Sequence, residues 1–197
     1  MLEMAIGIEH FSKVHLLSVL QQNNIDPYDV VEDYMNQLEE SNLEQLRHDL
    51  WKNSGSLYCG NLYAKYIEDQ NKRCPVWAFL EMISFGQYLY FYKYCADLLQ
   101  NTEITERLYL MYTVKSLRNA CAHNNCIIND INATHNKSIN ADLRSECAKF
   151  IKSPSSRRRH LGHISTYQIL TTMYAHQRIC ISTGVHKHIC GELDELK

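Results

Sequence analysis

Three prolines and seven glycines are all the backbone breakers that 197 residues carry. No Asn-Gly or Asp-Gly pair occurs, and no strand-turn-strand rhythm runs along the chain. A sequence with so few places to reverse travels in helices, and an all-α fold is expected. The 45% hydrophobic content can furnish the core of one domain, expected over residues 1–183, with residues 184–197 as a weakly ordered tail.

Apolar spacing places a first helix from Leu2 to about Gln22, with Ile6, Phe11, Val14, Leu17 and Leu20 near helical register. Asp26 followed by Pro27 reads as an N-cap with proline at the first helical position, opening a helix to about Glu40. Ser41 with Glu44 is a capping-box pattern that starts another, to about Lys52. Further helices are expected over about 57–70, from Pro75 to about Gln100 as one long apolar element, and over about 105–124, 141–151 and 161–181. Asn124, Asn125, Asn129, Asn132, Asn136 and Asn140 favour a loop between two of these. "KSPSSRRRHLGH" reads as a second loop, a basic one.

The formal net charge of −2 argues against a globally basic nucleic-acid binder, so any RNA contact must be concentrated in a patch. Eight cysteines are scattered through helical runs with no framework spacing, which reads as reduced thiols. The opening "MLEMAIGIEHFSKV" lacks the basic start and cleavage site of a secretory signal. Glu81, Gln87 and Lys93 interrupt the most apolar span, which fits a core helix better than a bilayer span. A cytoplasmic protein with no membrane partner is expected.

Against this background "LRNACAHNN", Leu117 to Asn125, carries an arginine, an asparagine and a histidine separated by almost nothing but alanine and cysteine. At 100° per residue, Leu110, Val114, Leu117 and Cys121 share one stripe, the core face. Arg118 lies at its flank. Lys115, Asn119, Ala122 and His123 lie beyond it, and the i, i+4 spacing lets Asn119 reach His123. An imidazole that moves the 2′-OH or leaving-group proton and a guanidinium that stabilises a phosphorane are what RNA cleavage without a metal requires. Arg118 and His123 are therefore candidate catalytic residues, supported by Asn119. Lys115, Asn124 and the basic run of Lys152, Arg157, Arg158 and Arg159 are candidate phosphate contacts.

"R-N-A-C-A-H-N" resembles the Arg-(four to six residues)-His signature of the HEPN superfamily. "CPVWAFLEMISFGQYLYFY" followed by "VKSLRNACAHNN", with "LEMAIGIEHFSKVHLL" ahead of both, resembles the Abi-like family of abortive-infection phage-resistance proteins. Three blocks in the family's order span about Leu2 to Asn129. The resemblance implies a HEPN-like helical bundle with additional helices, toxin-like RNA cleavage in phage defence, and a composite site built by a homodimer. It also implies an RNA or protein antitoxin. Family members usually carry a segment ahead of the "IEHF" helix, where this sequence begins.

Other features have plainer readings beside functional ones. Glu81, in a helix apolar on nearly all sides, needs a partner, which could be Arg118 or an internal ion pair. Gly86 in mid-helix suits close approach of another helix. Tyr88, Tyr90, Phe91, Tyr92 and Tyr94 are mostly core, with base stacking as the alternative. Cys180, His186, His188 and Cys190 match no usual zinc spacing, and no metal or cofactor is assigned. The rival to the nuclease is a non-catalytic HEPN module that binds RNA or a protein in a toxin-antitoxin system.

Overall fold

A computed structural model describes residues 1–69, 72–128, 133–134 and 139–194. Among them run eleven helices: α1 (Leu2–Gln22), α2 (Asp29–Asn36), α3 (Glu40–Asn53), α4 (Leu57–Tyr66), α5 (Val76–Met82), α6 (Phe85–Leu99), α7 (Thr102–Ala122), α8 (Ala141–Phe150), α9 (Pro154–Gly162), α10 (Ile164–Ile179) and α11 (Thr183–Asp194). The one β feature among the described residues is an isolated bridge between Thr134 and His163. The fold is all-α. No described helix is long and apolar enough to cross a membrane. The chain forms two compact units, one of Ser12–Leu108 and a split one of Met1–Phe11 with Tyr109–Lys197.

In the Ser12–Leu108 unit, Tyr34 of α2, Phe79 of α5 and Phe91 of α6 make an edge-to-face aromatic cluster. The Tyr34–Phe91 and Phe79–Phe91 ring centroids lie 5.1 and 5.2 Å apart, within the range where such pairs add to simple burial. The long helix expected from Pro75 is two helices, because Ile83 and Ser84 are extended. Ser84 Oγ accepts the Gln87 N–H at 3.3 Å and starts α6 afresh. The break leaves Glu81 exposed, so it needs no buried partner, and puts Gly86 in the first turn of α6 instead of mid-helix. Tyr88, Phe91 and Tyr92 are fully buried. Ser41 lies inside α3, whose N-cap is Glu39 with no side-chain cap bond. Asp26 Oδ1 accepts the N–H groups of Tyr28 and Asp29 at 2.8 and 2.9 Å, but this closes the turn ahead of α2, whose N-cap is Tyr28 and whose first residue is Asp29, so Pro27 lies before the helix and not in its first position.

The buried face of α1 also differs from expectation. Met4, Ala5, Ile8, Ser12, Leu16 and Leu20 are buried, whereas Ile6 and Val14 are half exposed, each at 50%. Both sets repeat at helical spacing, and only packing decides between them.

In the split unit, Leu110, Val114 and Leu117 of α7, Leu143 and Cys147 of α8, Leu161 of α9 and Ala175 and Ile179 of α10 are buried, and α8, α9 and α10 pack on one another. The basic segment expected as a loop is α9. Ser153 Oγ caps it, accepting from Ser156 N–H at 3.4 Å, and Pro154 occupies the first turn. The segment expected as a loose tail forms α11, because Ile189 is buried and His188 Nε2 meets Glu3 at 3.2 Å. His176, only 3% exposed, lies with its ring 5.0 Å from His186 of α11, edge to face. A Cβ at Gly7 would stand 3.6 Å from Cys180 Sγ and 3.8 Å from His176 Nε2. Asn129, Asn132 and Asn136 of the expected loop lie outside the described residues.

With glycine scarce, α1, α6 and α7 end on other residues in the left-handed region: Asn24, Gln100 and Asn124, with φ of 55°, 49° and 54°. At the end of α7 the Asn124 N–H donates to Cys121 O at 3.1 Å and the Asn125 N–H to Ala120 O at 2.9 Å, a Schellman closure. Asn124 is thus a structural residue whatever else it does. Asn124→Val should lower stability by about 1–2 kcal/mol, while Asn124→Gly holds or slightly raises it, as read by chemical denaturation.

Burial, then Arg107, holds the His15 imidazole below its ordinary 6.5; burial, then His186, does the same for His176. A depressed folded-state value means that the unfolded chain binds more protons below 6.5. This stability is therefore complete above that pH and is lost as pH falls through the folded values. The urea midpoint should drop between about pH 7.5 and about pH 5.5, and an unchanged or rising midpoint would contradict the burial account.

Candidate active site

The end of α7 owes its rotation to burial. Leu110, Val114 and Leu117 are buried as expected, and Met111 joins them. Cys121, expected on the same stripe, is half-buried. His123 follows the last helical residue. Its N–H donates to Asn119 O at 3.1 Å, and the Schellman closure immediately beyond it sets its backbone. Its side chain is exposed.

Arg118 stands at the flank, its side chain 35% exposed. Nη2 lies 3.8 Å from Oε2 of Glu9 on α1, itself only 16% exposed. Nη1 donates to Asn119 Oδ1 at 3.5 Å, the long limit for a hydrogen bond. Nε is buried, and no described group accepts from it. A guanidinium with five donors is thus held in place but weakly satisfied. Such an arrangement costs free energy, and an anion at the guanidinium recovers it.

The Asn119 side chain therefore serves Arg118, and among the described residues it makes no hydrogen bond to the His123 imidazole; the two residues meet only through the backbone bond from His123 N–H to Asn119 O. The acid beside Arg118 is Glu9, not Glu81. No local pattern marks Glu9, because it lies near the buried face of α1, between Ile8 and Ser12, and only packing decides which face that is.

Lys115 is partly exposed and lines an open groove of about 840 Å³ with Tyr109, Tyr112, Ser116, Asn140 and Tyr167. Tyr109, Tyr112, Ser116 and His123 are spaced by three, four and seven residues, so all four share one face of α7. All four are exposed, and the groove face leads along the helix to His123.

The basic run divides. Lys152, Arg158 and Arg159 are exposed. Arg157 turns back onto the protein, Nη1 donating to Ile151 O at 2.6 Å and to Lys152 O at 2.9 Å. It caps the end of α8, so its first role is structural. Among the described residues, no three His, Cys, Asp or Glu side chains stand where they could hold a metal ion. Cys180 is buried with its thiol pushed up to about 12, and Cys190 is exposed.

The end of α7 thus carries an exposed imidazole, His123, and an under-satisfied guanidinium, Arg118, backed by Glu9 and Asn119. No curated protein and no solved structure matches the chain. The family model described as Abi-like protein matches residues 1–129, which include α1, α7 and every member of this group. The chain belongs to the Abi-like protein family.

Proposed function

We propose that this protein is an endoribonuclease of the HEPN type that acts in abortive infection, cutting single-stranded RNA at the end of α7. The observation that carries the reading is the Arg118 guanidinium, half-buried, short of acceptors and close in sequence to an exposed histidine on an ordered helix end. His123 takes the proton from the ribose 2′-OH or gives one to the departing 5′ oxygen. The 2′ oxygen forms a bond to phosphorus as the P–O5′ bond breaks, leaving a 2′,3′-cyclic phosphate and a 5′-hydroxyl. Arg118 stabilises the charge that builds on the phosphorane. Nothing in these steps calls for a metal.

Asn119 and Glu9 are positioning residues that act through Arg118. Lys115, with Lys152, Arg158 and Arg159 as further exposed cations, supplies phosphate contacts without sequence preference. The transfer needs one group to accept a proton and one to donate it, so a homodimer that sets two Arg118–His123 pairs together fits the reaction. Exposed Leu2 and Ile6 on α1, in the same unit as the site, are apolar surface that a second copy can cover. An antitoxin, RNA or protein, would restrain the enzyme at this face. Exposed Tyr109, 67% accessible beside the Lys115 groove, also favours a second reading. In that reading the chain binds RNA or a partner and does no chemistry.

Labelled RNA incubated with purified protein in EDTA separates the two readings. Cleavage by the parent should fall by about 10²-fold or more in His123→Ala and in Arg118→Ala. The His123 variant should keep its unfolding free energy within about 0.5 kcal/mol, because its side chain is exposed. A His123→Ala protein that cuts as fast as the parent ends the mechanism, and an inactive parent under all conditions leaves the binding module. Glu9→Gln should lower kcat by about ten-fold with little change in KM; an unchanged kcat would remove Glu9 from the site.

A further inference from the structure

Beyond α7, the split unit brings three arginines to one small recess. Arg144 of α8 and Arg157 and Arg158 of α9 line it, with Ile139, Pro154 and Leu161. No carboxylate is among the described lining residues. Glu146, on α8, is taken by Lys149 at 2.7 Å, and among the described residues neither Arg144 nor Arg158 has an ion-pair partner. Three guanidinium groups in one recess repel one another, so the arrangement is stable only with an anion nearby or at a cost.

The recess is partly prepared for such an anion. Arg157 is pinned by the Ile151 and Lys152 carbonyls at 2.6 and 2.9 Å. Those two bonds use both Nη1 protons and leave Nη2 and Nε to donate elsewhere. A guanidinium already held loses little freedom on binding. Pro154, in the first turn of α9, brings the positive end of that helix to the same recess. The volume is about 190 Å³, below the roughly 300–1,000 Å³ of sites that take whole small molecules. Ile139 and Leu161 add apolar wall. An internal phosphodiester carries one charge and a chain leaving on both sides, whereas a terminal phosphate carries up to two and one attachment, or none.

We propose that Arg144, Arg157 and Arg158 form a binding site for a terminal phosphate dianion, supplied by the 5′ end of an RNA chain or by free inorganic phosphate. It rests on the ribonuclease reading only in naming RNA as one source, and its test reads binding alone.

The full-length His123→Ala protein is titrated with one short RNA carrying either a 5′-phosphate or a 5′-hydroxyl. Its thermal unfolding is followed in inorganic phosphate and in sodium chloride of equal ionic strength. An RNA end as the source gives about ten-fold tighter binding of the phosphorylated strand. The free anion as the source gives a higher midpoint in phosphate with no preference between strands. In either case Arg144→Gln should abolish the effect, while Lys152→Gln, outside the recess, weakens both RNAs alike. No strand preference together with no rise in midpoint overturns the proposal, and so does an effect that survives Arg144→Gln. Loss of cleavage in the separate EDTA assay bears on the nuclease alone.

Discussion

The burial of Leu110, Val114 and Leu117 is the constraint on which the candidate site depends. Those side chains set the rotation of α7, and rotation decides what its other faces present. Once the stripe is inside, Tyr109, Tyr112, Ser116 and His123 must face outward, and Arg118 must fall at the seam where α1 supplies Glu9. The Schellman closure then stops the helix directly after His123. Hydrophobic packing, which has no catalytic content of its own, thereby places Arg118 and His123.

Two arginines of the split unit show how differently one residue type is used. Arg157 spends its donors on the carbonyls that end α8, at 2.6 and 2.9 Å, and so stabilises a helix junction. Arg118 has its nearest acceptors at 3.5 and 3.8 Å and a buried Nε without one. Good hydrogen bonds bind a side chain to its own fold, whereas incomplete ones leave it ready for a ligand. In this protein the weakly satisfied arginine lies in the matched family block.

Several elements were legible from local chemistry and others were not. The helical class followed from missing turns, and the core stripe of α7 followed from spacing. The break at Ser84 carried a readable sign, since Ser84 and Gln87 make the Ser-x-x-Gln pattern of a helix start, but the apolar run around it resembled a single long helix. In α1, Ile6 with Val14 and Ile8 with Leu16 are equally periodic, so no pattern within the helix could choose its buried face. The three-serine, three-arginine segment reads as a loop by composition and becomes α9 because Ser153 caps it and Leu161 is buried. The fate of residues 184 onward was hidden because burial of Ile189 by neighbours leaves no local signature.

By itself the sequence determined the class of fold, the family, and the placing of Arg118 and His123 five residues apart at the end of one helix. These are properties of short segments, set by backbone breakers, by periodicity and by residues five apart. Only the tertiary structure decided that Glu9 faces Arg118, that Asn119 serves the arginine instead of the histidine, that Arg157 is committed to α8, and that Arg144 joins it in a recess. Each of these brings together groups whose meeting depends on packing and backbone closure, which no pattern in one segment encodes.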